Sequence, residues 1–179
     1  MKRLFTLAIL MVASFTFVGA QKFAGIDKSP MDAALWRAER NAPVKAKVIY
    51  SRPMKNDREI WGSLVPYDKM WRTGANEAPE ITFYEDVDFG GKAVKAGTYT
   101  LFVIPGKSEW TFVLNSELNQ WGNYRYNESS DVVRVTGPAG SNDPVEAFSI
   151  TWENQSDGSV HLILGWDDQH GRVPIRTNS

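Results

Sequence analysis

Residues 96–114 read AGTYTLFVIPGKSEWTFVL, and this stretch decides the fold. Large apolar side chains recur at every second position on both sides of a Pro-Gly-Lys-Ser segment at residues 105–108. They are Tyr99, Leu101 and Val103 before it, and Trp110, Phe112 and Leu114 after it. A period of two is typical of a half-buried strand, and the segment between has the composition of a tight turn. The stretch therefore predicts an antiparallel β-hairpin.

The same alternation recurs along the rest of the chain between short turn sequences. It predicts further strands at residues 44–51, 59–61, 80–88, 92–104, 131–135, 145–153, 159–166 and 173–175. Gly137-Pro138, Asp143-Pro144 and Asp157-Gly158 predict turns between the last of these strands. Short strands at such spacing favour an all-β fold. We expect one antiparallel β-sandwich or jelly-roll-like domain over residues 43–179.

The segment before this domain, residues 21–42, is predicted to be an N-terminal arm. Ser29-Pro30 followed by Asp32 resembles a helix start, with proline at the first position and an acid in the first turn. The apolar residues that would then share one helical face are Met31, Ala34, Leu35 and Ala38. We expect a short helix in this arm, packed on the domain.

The first twenty residues have the pattern of an export signal. Lys2 and Arg3 precede an apolar run at residues 4–18, and Val18-Gly19-Ala20 fits the small-x-small cleavage rule. The run is shorter than the roughly 20 residues that a bilayer span needs, and no second run follows. We therefore expect a signal peptide at residues 1–20 and a periplasmic or extracellular protein with no transmembrane segment in its mature chain.

The composition excludes several classes of protein. The chain has no cysteine, which removes disulfides, thiolate nucleophiles and attachment as a lipoprotein. It has 20 basic against 21 acidic side chains, and losing Lys2 and Arg3 with the signal would leave 18 against 21. No basic block survives, so nucleic acid is not an expected partner. No nucleophile elbow, phosphate-binding loop or dinucleotide fingerprint occurs, so we predict no cofactor.

A candidate binding cluster lies at residues 71–77, which read WRTGANE. Trp71, the guanidinium of Arg72, the amide of Asn76 and the carboxylate of Glu77 would together suit a carboxylate, a sugar hydroxyl pattern or a peptide end. Arg52 is expected to join them. The alternative is that Arg72 and Glu77 pair with each other, or with backbone groups, only to hold an irregular loop.

A second candidate is the long loop at residues 115–130, which is rich in amides and aromatic rings. Loops of this length in compact domains tend to be functional or disordered, and Trp121, Tyr124 and Tyr126 argue against disorder. Flat rings beside amides are the composition of a carbohydrate platform and also suit protein interfaces. The alternative is a loop folded over one end of the sandwich, with Trp121 filling the core.

Acids and histidines near the C-terminus suggest a metal site only weakly. Asp167, Asp168 and His170 follow one predicted strand, and His161 lies within it. Two histidines cannot form a three-histidine zinc site, and the spacing matches no standard motif. Asp86 and Asp88 resemble the start of a calcium loop but lack its closing glutamate. We interpret these groups as solvated turn residues and predict no metal.

Several motifs together resemble a bacterial family frequent in Bacteroidetes, the domain of unknown function DUF2911. They are Ser29-Pro30-Met31-Asp32, Tyr50-Ser51-Arg52-Pro53, Leu64-Val65-Pro66-Tyr67, the heptad at residues 71–77, residues 96–101, Ile104-Pro105-Gly106, residues 118–122, residues 145–148 and Val173-Pro174-Ile175. The resemblance covers residues 29–175. It implies an exported bacterial protein and supplies no reaction.

Three functions stay open at this point. We expect a binding protein for a glycan, a small ligand or a cell-envelope partner, which uses the loops at residues 71–77 and 121–126. One alternative is a small extracytoplasmic hydrolase with Glu77 as acid or base and Arg72 orienting the substrate. Another is a purely structural envelope protein. Convergence of the two loops on one open cleft would favour binding or catalysis.

Overall fold

The computed structural model describes residues 21–177, so the signal peptide predicted for residues 1–20 lies outside the described residues. Within that range the chain is all-β, as the alternation predicted, and it has no α-helix. Its strands are β1 (Met31–Arg37), β2 (Val44–Ser51), β3 (Glu80–Phe83), β4 (Val87–Phe89), β5 (Lys92–Val94), β6 (Gly97–Pro105), β7 (Glu109–Asn115), β8 (Asp131–Asn154) and β9 (Val160–Thr177). None of the described residues belongs to a helix long and apolar enough to cross a bilayer.

The strands form one antiparallel sheet in the order β1-β2-β3-β6-β7-β8-β9-β4-β5. The sheet folds over along β8, whose residues 131–138 pair with β7 and whose residues 139–154 pair with β9. Its two halves then face each other across the core. Tyr50 of β2 accepts a 3.1 Å hydrogen bond at its hydroxyl from the backbone N–H of Ile150 in β8. The predicted β-sandwich is thus built from one continuous sheet.

Two glycines allow the sheet to fold at this point. A Cβ atom on Gly171 would lie 2.3 Å from the ring of Trp110, and one on Gly137 would lie 2.0 Å from the carbonyl oxygen of Arg172. Because no side chain fits in either space, only glycine lets the backbones approach so closely.

The predicted turns at residues 137–138 and 143–144 were wrong, because β8 continues through both. Its pairing with β9 shifts register between Ser141 and Val145 and again between Val145 and Ser149. Glycine and proline here mark a bend and irregular pairing within a long strand, where the sequence suggested its end.

The predicted N-terminal helix was also wrong, because residues 31–37 form strand β1. β1 pairs with β2, with Ala34 opposite Val48 and Trp36 opposite Ala46. Trp36 is buried, and its ring stacks on that of Trp152 at 6.0 Å. The helical spacing was a weak local signal, and tertiary packing of a tryptophan outweighs it.

The predicted hairpin is confirmed, with β6 paired to β7 from Thr100 opposite Asn115 to Pro105 opposite Trp110. One face of this hairpin enters the main core. Its other face buries Phe102 and Val113, which are covered by Met70 and Tyr126. Met70 directly precedes the heptad at residues 71–77, and Tyr126 lies in the loop at residues 115–130, so the hairpin supports both candidate regions.

Candidate ligand-binding cleft

The heptad at residues 71–77 forms a tight turn with several unusual backbone conformations. Thr73 has φ 64°, Gly74 has φ 136° and Asn76 has φ 56°. A Cβ atom on Gly74 would lie 2.8 Å from the carbonyl oxygen of Ser51, so the turn presses against the end of β2. Positive φ at a β-branched residue such as Thr73 is rare, and such strain tends to cluster where a site is held in a fixed shape.

Trp71 anchors this turn on the core. Its backbone pairs with Val103 of β6 through hydrogen bonds of 2.8 and 3.1 Å. Its ring stacks on that of Trp166 at 6.3 Å and meets the ring of Phe148 edge to face at 5.1 Å. The indole is half-buried, so one part of it packs inward while the rest faces the cleft described next.

A cleft of about 490 Å³ opens over Trp71. Its described lining includes three cations, Arg58, Lys69 and Arg72, and no Asp or Glu. The polar neutral groups in the lining are the side chains of Ser29, Asn76 and Asn123. The cleft therefore combines an aromatic floor, amide groups and positive charge.

None of these three cations forms an ion pair with a carboxylate among residues 21–177. Arg72 donates from Nε to the carbonyl of Gly74 at 3.3 Å. Arg58 donates from Nε to the carbonyl of Lys55 at 2.8 Å and from Nη2 to that of Met54. Both guanidinium groups are thus positioned by backbone oxygens, and no carboxylate among residues 21–177 pairs with either of them.

The N-terminal arm forms part of the rim. Asn76 donates from its side-chain amide to Oδ1 of Asp27 at 3.1 Å. The same oxygen accepts from the backbone N–H of Ser29 at 2.7 Å. Both hydrogen bonds lower the pKa of Asp27, and the one from the Ser29 amide has the larger effect. Asp27 is therefore ionised at neutral pH and holds the arm against the heptad turn.

The two candidate loops meet at this cleft. Asn123 donates from Nδ2 to the carbonyl of Met70 at 2.7 Å. Gly122 donates from its backbone N–H to Asn76 at 3.0 Å. Glu77 and Trp121 form an antiparallel bridge next to these bonds. The sequence could not show this convergence, because five strands, β3 to β7, separate the two loops along the chain.

Trp121 and Tyr124 lie on the surface of the second loop. Trp121 is 62% exposed and Tyr124 is 74% exposed, so neither ring fills the core. Their rings stack with centroids 5.7 Å apart and planes 15° from parallel. The pair forms a flat aromatic surface, which we call the aromatic platform.

The end of this loop is fixed by a polar network. Tyr126 donates from its hydroxyl to Asp131 at 2.6 Å, and Arg134 donates to the same carboxylate at 2.6 Å and to the Tyr126 hydroxyl. The pKa of Tyr126 is raised to about 12, mainly by burial and next by the hydrogen bond to Asp131. Asn115 of β7 also donates to Asp131 at 2.8 Å. The loop that carries the platform is therefore tied to the sheet.

Arg52 does not join the cleft. Its guanidinium donates to the carbonyl of Phe148 at 3.1 Å, to Oγ of Ser149 at 2.8 Å and to Asp32 at 2.9 Å. These bonds tie β2 to β1 and β8. Each of the three guanidinium nitrogens thus has a partner within the fold, so the contacts of Arg52 are structural.

Glu77 lies apart from Arg72. It is exposed and borders a second groove of about 160 Å³, together with Ile49, Glu80 and Asn119. The mutual pairing of Arg72 and Glu77 that the sequence suggested is absent from the ion pairs of residues 21–177. The two residues that the hydrolase alternative requires, Arg72 and Glu77, therefore border different cavities.

Two of the acids and histidines near the C-terminus, Asp167 and His170, have contacts within the fold. Asp167 pairs with Lys55 at 2.6 Å, and Nδ1 of His170 lies 3.2 Å from Oδ1 of Asn142. Asp86 bonds Lys95 at 2.7 Å, and Asp88 accepts from the backbone N–H of Gly91 at 2.7 Å. Within residues 21–177 no cluster of three or more His, Asp or Glu side chains is placed to hold a metal ion.

Sequence reasoning missed Arg58, Lys69 and the role of Asn123. Arg58 lies in a turn with Asn56 and Asp57, and Lys69 lies between Asp68 and Met70, so neither belongs to a recognisable motif. They reach the cleft only because the segment between β2 and β3 folds back over the core. No local signal could have found them.

The fold and the cleft define an all-β sandwich protein with a cationic, tryptophan-floored cleft beside an exposed aromatic platform. The chain belongs to the DUF2911 family, described as proteins of unknown function, and the match spans residues 30–175. The family resemblance seen in the motifs is confirmed. No curated protein and no solved structure gives a significant match to the chain.

Proposed function

We propose that the protein binds a small anionic ligand in the cleft over Trp71. The observation that carries the proposal is the lining itself, with three cations, no acid among the described residues, and no ion pair that neutralises the cations. Arg58 and Lys69 are exposed and Arg72 is half-buried. Like charges that line one concave site repel one another, and a bound anion relieves that repulsion.

The chemistry of the lining suits such a ligand. Arg72 is held by Gly74 through Nε alone, which leaves its Nη donors for a carboxylate or similar group. Asn76 and Asn123 add neutral amides at the rim, and Trp71 adds an apolar floor. A few polar groups over an aromatic surface are the usual composition of a small-molecule site.

The lining supports binding rather than catalysis. No Asp or Glu is among the described lining residues, and the rim carboxylate of Asp27 is already bonded to Ser29 and Asn76, so the lining supplies no carboxylate as the general acid or base that the hydrolase alternative requires. Glu77, the residue assigned to that role, borders the other groove.

We also propose that this binding takes place outside the cytoplasm, in the periplasm or extracellular space. The support is the sequence of residues 1–20, which has the charged start, apolar run and small-residue end of an export signal. A cell-envelope glycan or a small ligand from that compartment is the kind of partner that we expect.

Citrate tests the anionic site, and triethyl citrate is its neutral control with the same skeleton. We expect citrate to raise the melting temperature of the purified protein and triethyl citrate to leave it unchanged, because ligands that bind only the folded state stabilise it. The effect of citrate should weaken with added salt, since the charges are partly exposed.

Two matched variants place the effect in the cleft. Arg72→Gln should remove most of the citrate response, whereas Arg172→Gln, on an exposed arginine of β9 outside the cleft lining, should retain it. An equal response of both variants, or an equal response to the neutral ester, would contradict the proposal.

A further inference from the structure

The aromatic platform borders the cleft directly. A Cβ atom on Gly122 would lie 2.8 Å from the ring of Tyr124 and 3.5 Å from Nη1 of Arg72. The platform ring and the cleft guanidinium therefore flank the same residue. Asn123, which lies between the two platform residues in sequence, itself lines the cleft.

The platform is held in place before any ligand arrives. Besides the Tyr126 network, Ser116 donates from its backbone N–H to Ser130 at 2.9 Å and closes the base of the loop. Asn127 donates to Glu117 at 2.9 Å across the same base. A fixed surface loses little conformational entropy on binding, which is what a recognition site requires.

The exposure of the platform needs a functional explanation. Each ring covers one face of the other, and their outer surfaces remain in solvent at 62% and 74% exposure. Flat apolar faces of this kind fit the C–H faces of sugar rings. Amides close by, such as Asn123, can bond sugar hydroxyls.

We propose that the cleft and the platform together bind an anionic saccharide. Its charged group lies among Arg72, Lys69 and Arg58, and a sugar ring packs on an outer face of the stacked Trp121–Tyr124 pair. This inference rests on the proposed function, because it names the class of anion that the cleft accepts. The shared chemistry is a sugar bearing a carboxylate or a sulfate.

Single-stranded nucleic acid also combines negative charge with stacking. It needs a positive groove that follows the backbone over several nucleotides. The three cations here are confined to one cleft, and the chain as a whole has a net charge of −1. The distribution of charge therefore favours a saccharide.

The test compares five probes by isothermal titration with the full chain. Oligogalacturonate carries sugar rings with carboxylates, and sulfated dextran carries rings with sulfates. Neutral galactan oligosaccharide carries rings alone, poly-L-glutamate carries carboxylates alone, and oligo-deoxythymidine represents nucleic acid. We expect at least one of the two anionic saccharides to bind more tightly than the other three probes, and the better one identifies the charged group.

Variants divide the site into its two parts. Trp121→Ala, Tyr124→Ala and Arg72→Gln should each lower the affinity for the preferred saccharide by about tenfold or more. This is the loss expected when one substantial contact is removed. Tyr84→Ala, at an exposed tyrosine elsewhere, should bind like the unaltered chain. Unchanged melting temperatures verify that Trp121→Ala and Tyr124→Ala fold.

The outcomes separate the inference from the proposed function. Equal binding of poly-L-glutamate, with no effect of Trp121→Ala or Tyr124→Ala, would overturn the saccharide and leave the anionic site intact. Preferred binding of the oligonucleotide would overturn it in favour of nucleic acid. Tight binding of neutral galactan that survives Arg72→Gln would overturn both, and so would the absence of binding by every probe together with no response to citrate.

Discussion

The side-chain amide of Asn123 donates a 2.7 Å hydrogen bond to the backbone carbonyl of Met70. This bond joins the loop at residues 115–130, which carries the aromatic platform, to the segment just before the heptad at residues 71–77. Asn123→Ala should lower the free energy of unfolding by about 1–2 kcal/mol, because it leaves a partly buried carbonyl without its partner. It should also weaken citrate binding, since one wall of the cleft loses its anchor. Thermal unfolding and titration measure the two effects.

Gln120→Ala is the matched control for Asn123, because its amide makes only a 3.4 Å contact to the carbonyl of Leu118 in the same loop. We expect a change within about 0.5 kcal/mol, as for other surface substitutions. Equal destabilisation by the two variants would show that the Asn123 bond does not join the loops.

Arg52 and Arg72 should respond to substitution in opposite ways. Arg52 bonds Asp32, Phe148 and Ser149, whereas the guanidinium of Arg72 has one bond, to Gly74. Arg52→Ala should therefore cost about 1–3 kcal/mol of stability. Arg72→Ala should cost much less while removing anion binding. Chemical denaturation of both variants measures the difference, and a larger loss for Arg72→Ala would mean that its charge serves the fold.

The sequence predicted the hairpin and the sandwich because alternation reports burial directly. Leu101 and Phe112 are fully buried where the period of two places them. The sequence predicted a helix where β1 lies. Four apolar residues at helical spacing are also compatible with a strand once Trp36 packs across the sheet. The sequence also predicted a turn at Gly137, because glycine marks turns and close backbone approaches alike.

The candidate site was predictable only in part. Trp71, Arg72 and Asn76 line the cleft, and Trp121 and Tyr124 form the platform beside it. Arg58 and Lys69 reach the cleft through tertiary folding, and Arg52 is turned away from it by partners on β1 and β8. Side chains within one motif can be grouped from sequence, but which surface each one faces depends on contacts with distant strands.

Gly171→Ala should be severely destabilising, because the new Cβ atom would lie 2.3 Å from the fully buried ring of Trp110. Overpacking of this kind costs about 1–3 kcal/mol or more, and a shift of about 2–4 °C in melting temperature accompanies each kcal/mol in a chain of this size. Gly25→Ala, whose Cβ would meet nothing within 4 Å, should leave the melting temperature unchanged. A Gly171→Ala variant as stable as the Gly25→Ala variant would contradict the close packing at the fold of the sheet.

The turn between β8 and β9 should make stability depend on pH. Asp157 accepts from the Ser159 hydroxyl at 2.6 Å and from the Ser159 amide at 3.0 Å, and it pairs with Arg176. These contacts lower the pKa of Asp157 from 3.8 to about 2. The Ser159 hydroxyl has the largest effect, followed by the Ser159 amide and then by Arg176. Because the folded state favours the ionised carboxylate, Asp157 stabilises the fold fully at pH values above its ordinary pKa of 3.8. This stabilisation is lost as the pH falls through the folded-state pKa of about 2.

Asp157→Asn keeps an acceptor for Ser159 and removes the charge, so it separates the ionic contribution from the turn itself. We expect a small decrease in melting temperature at neutral pH and a flatter decline between pH 4 and pH 2 than in the unaltered chain. In carboxyl NMR titrations Ser159→Ala should raise the pKa of Asp157 more than Arg176→Gln does, since the Ser159 hydroxyl is the largest cause of the shift. A larger effect of Arg176→Gln would mean that the ion pair, and not the serine, holds the carboxylate ionised.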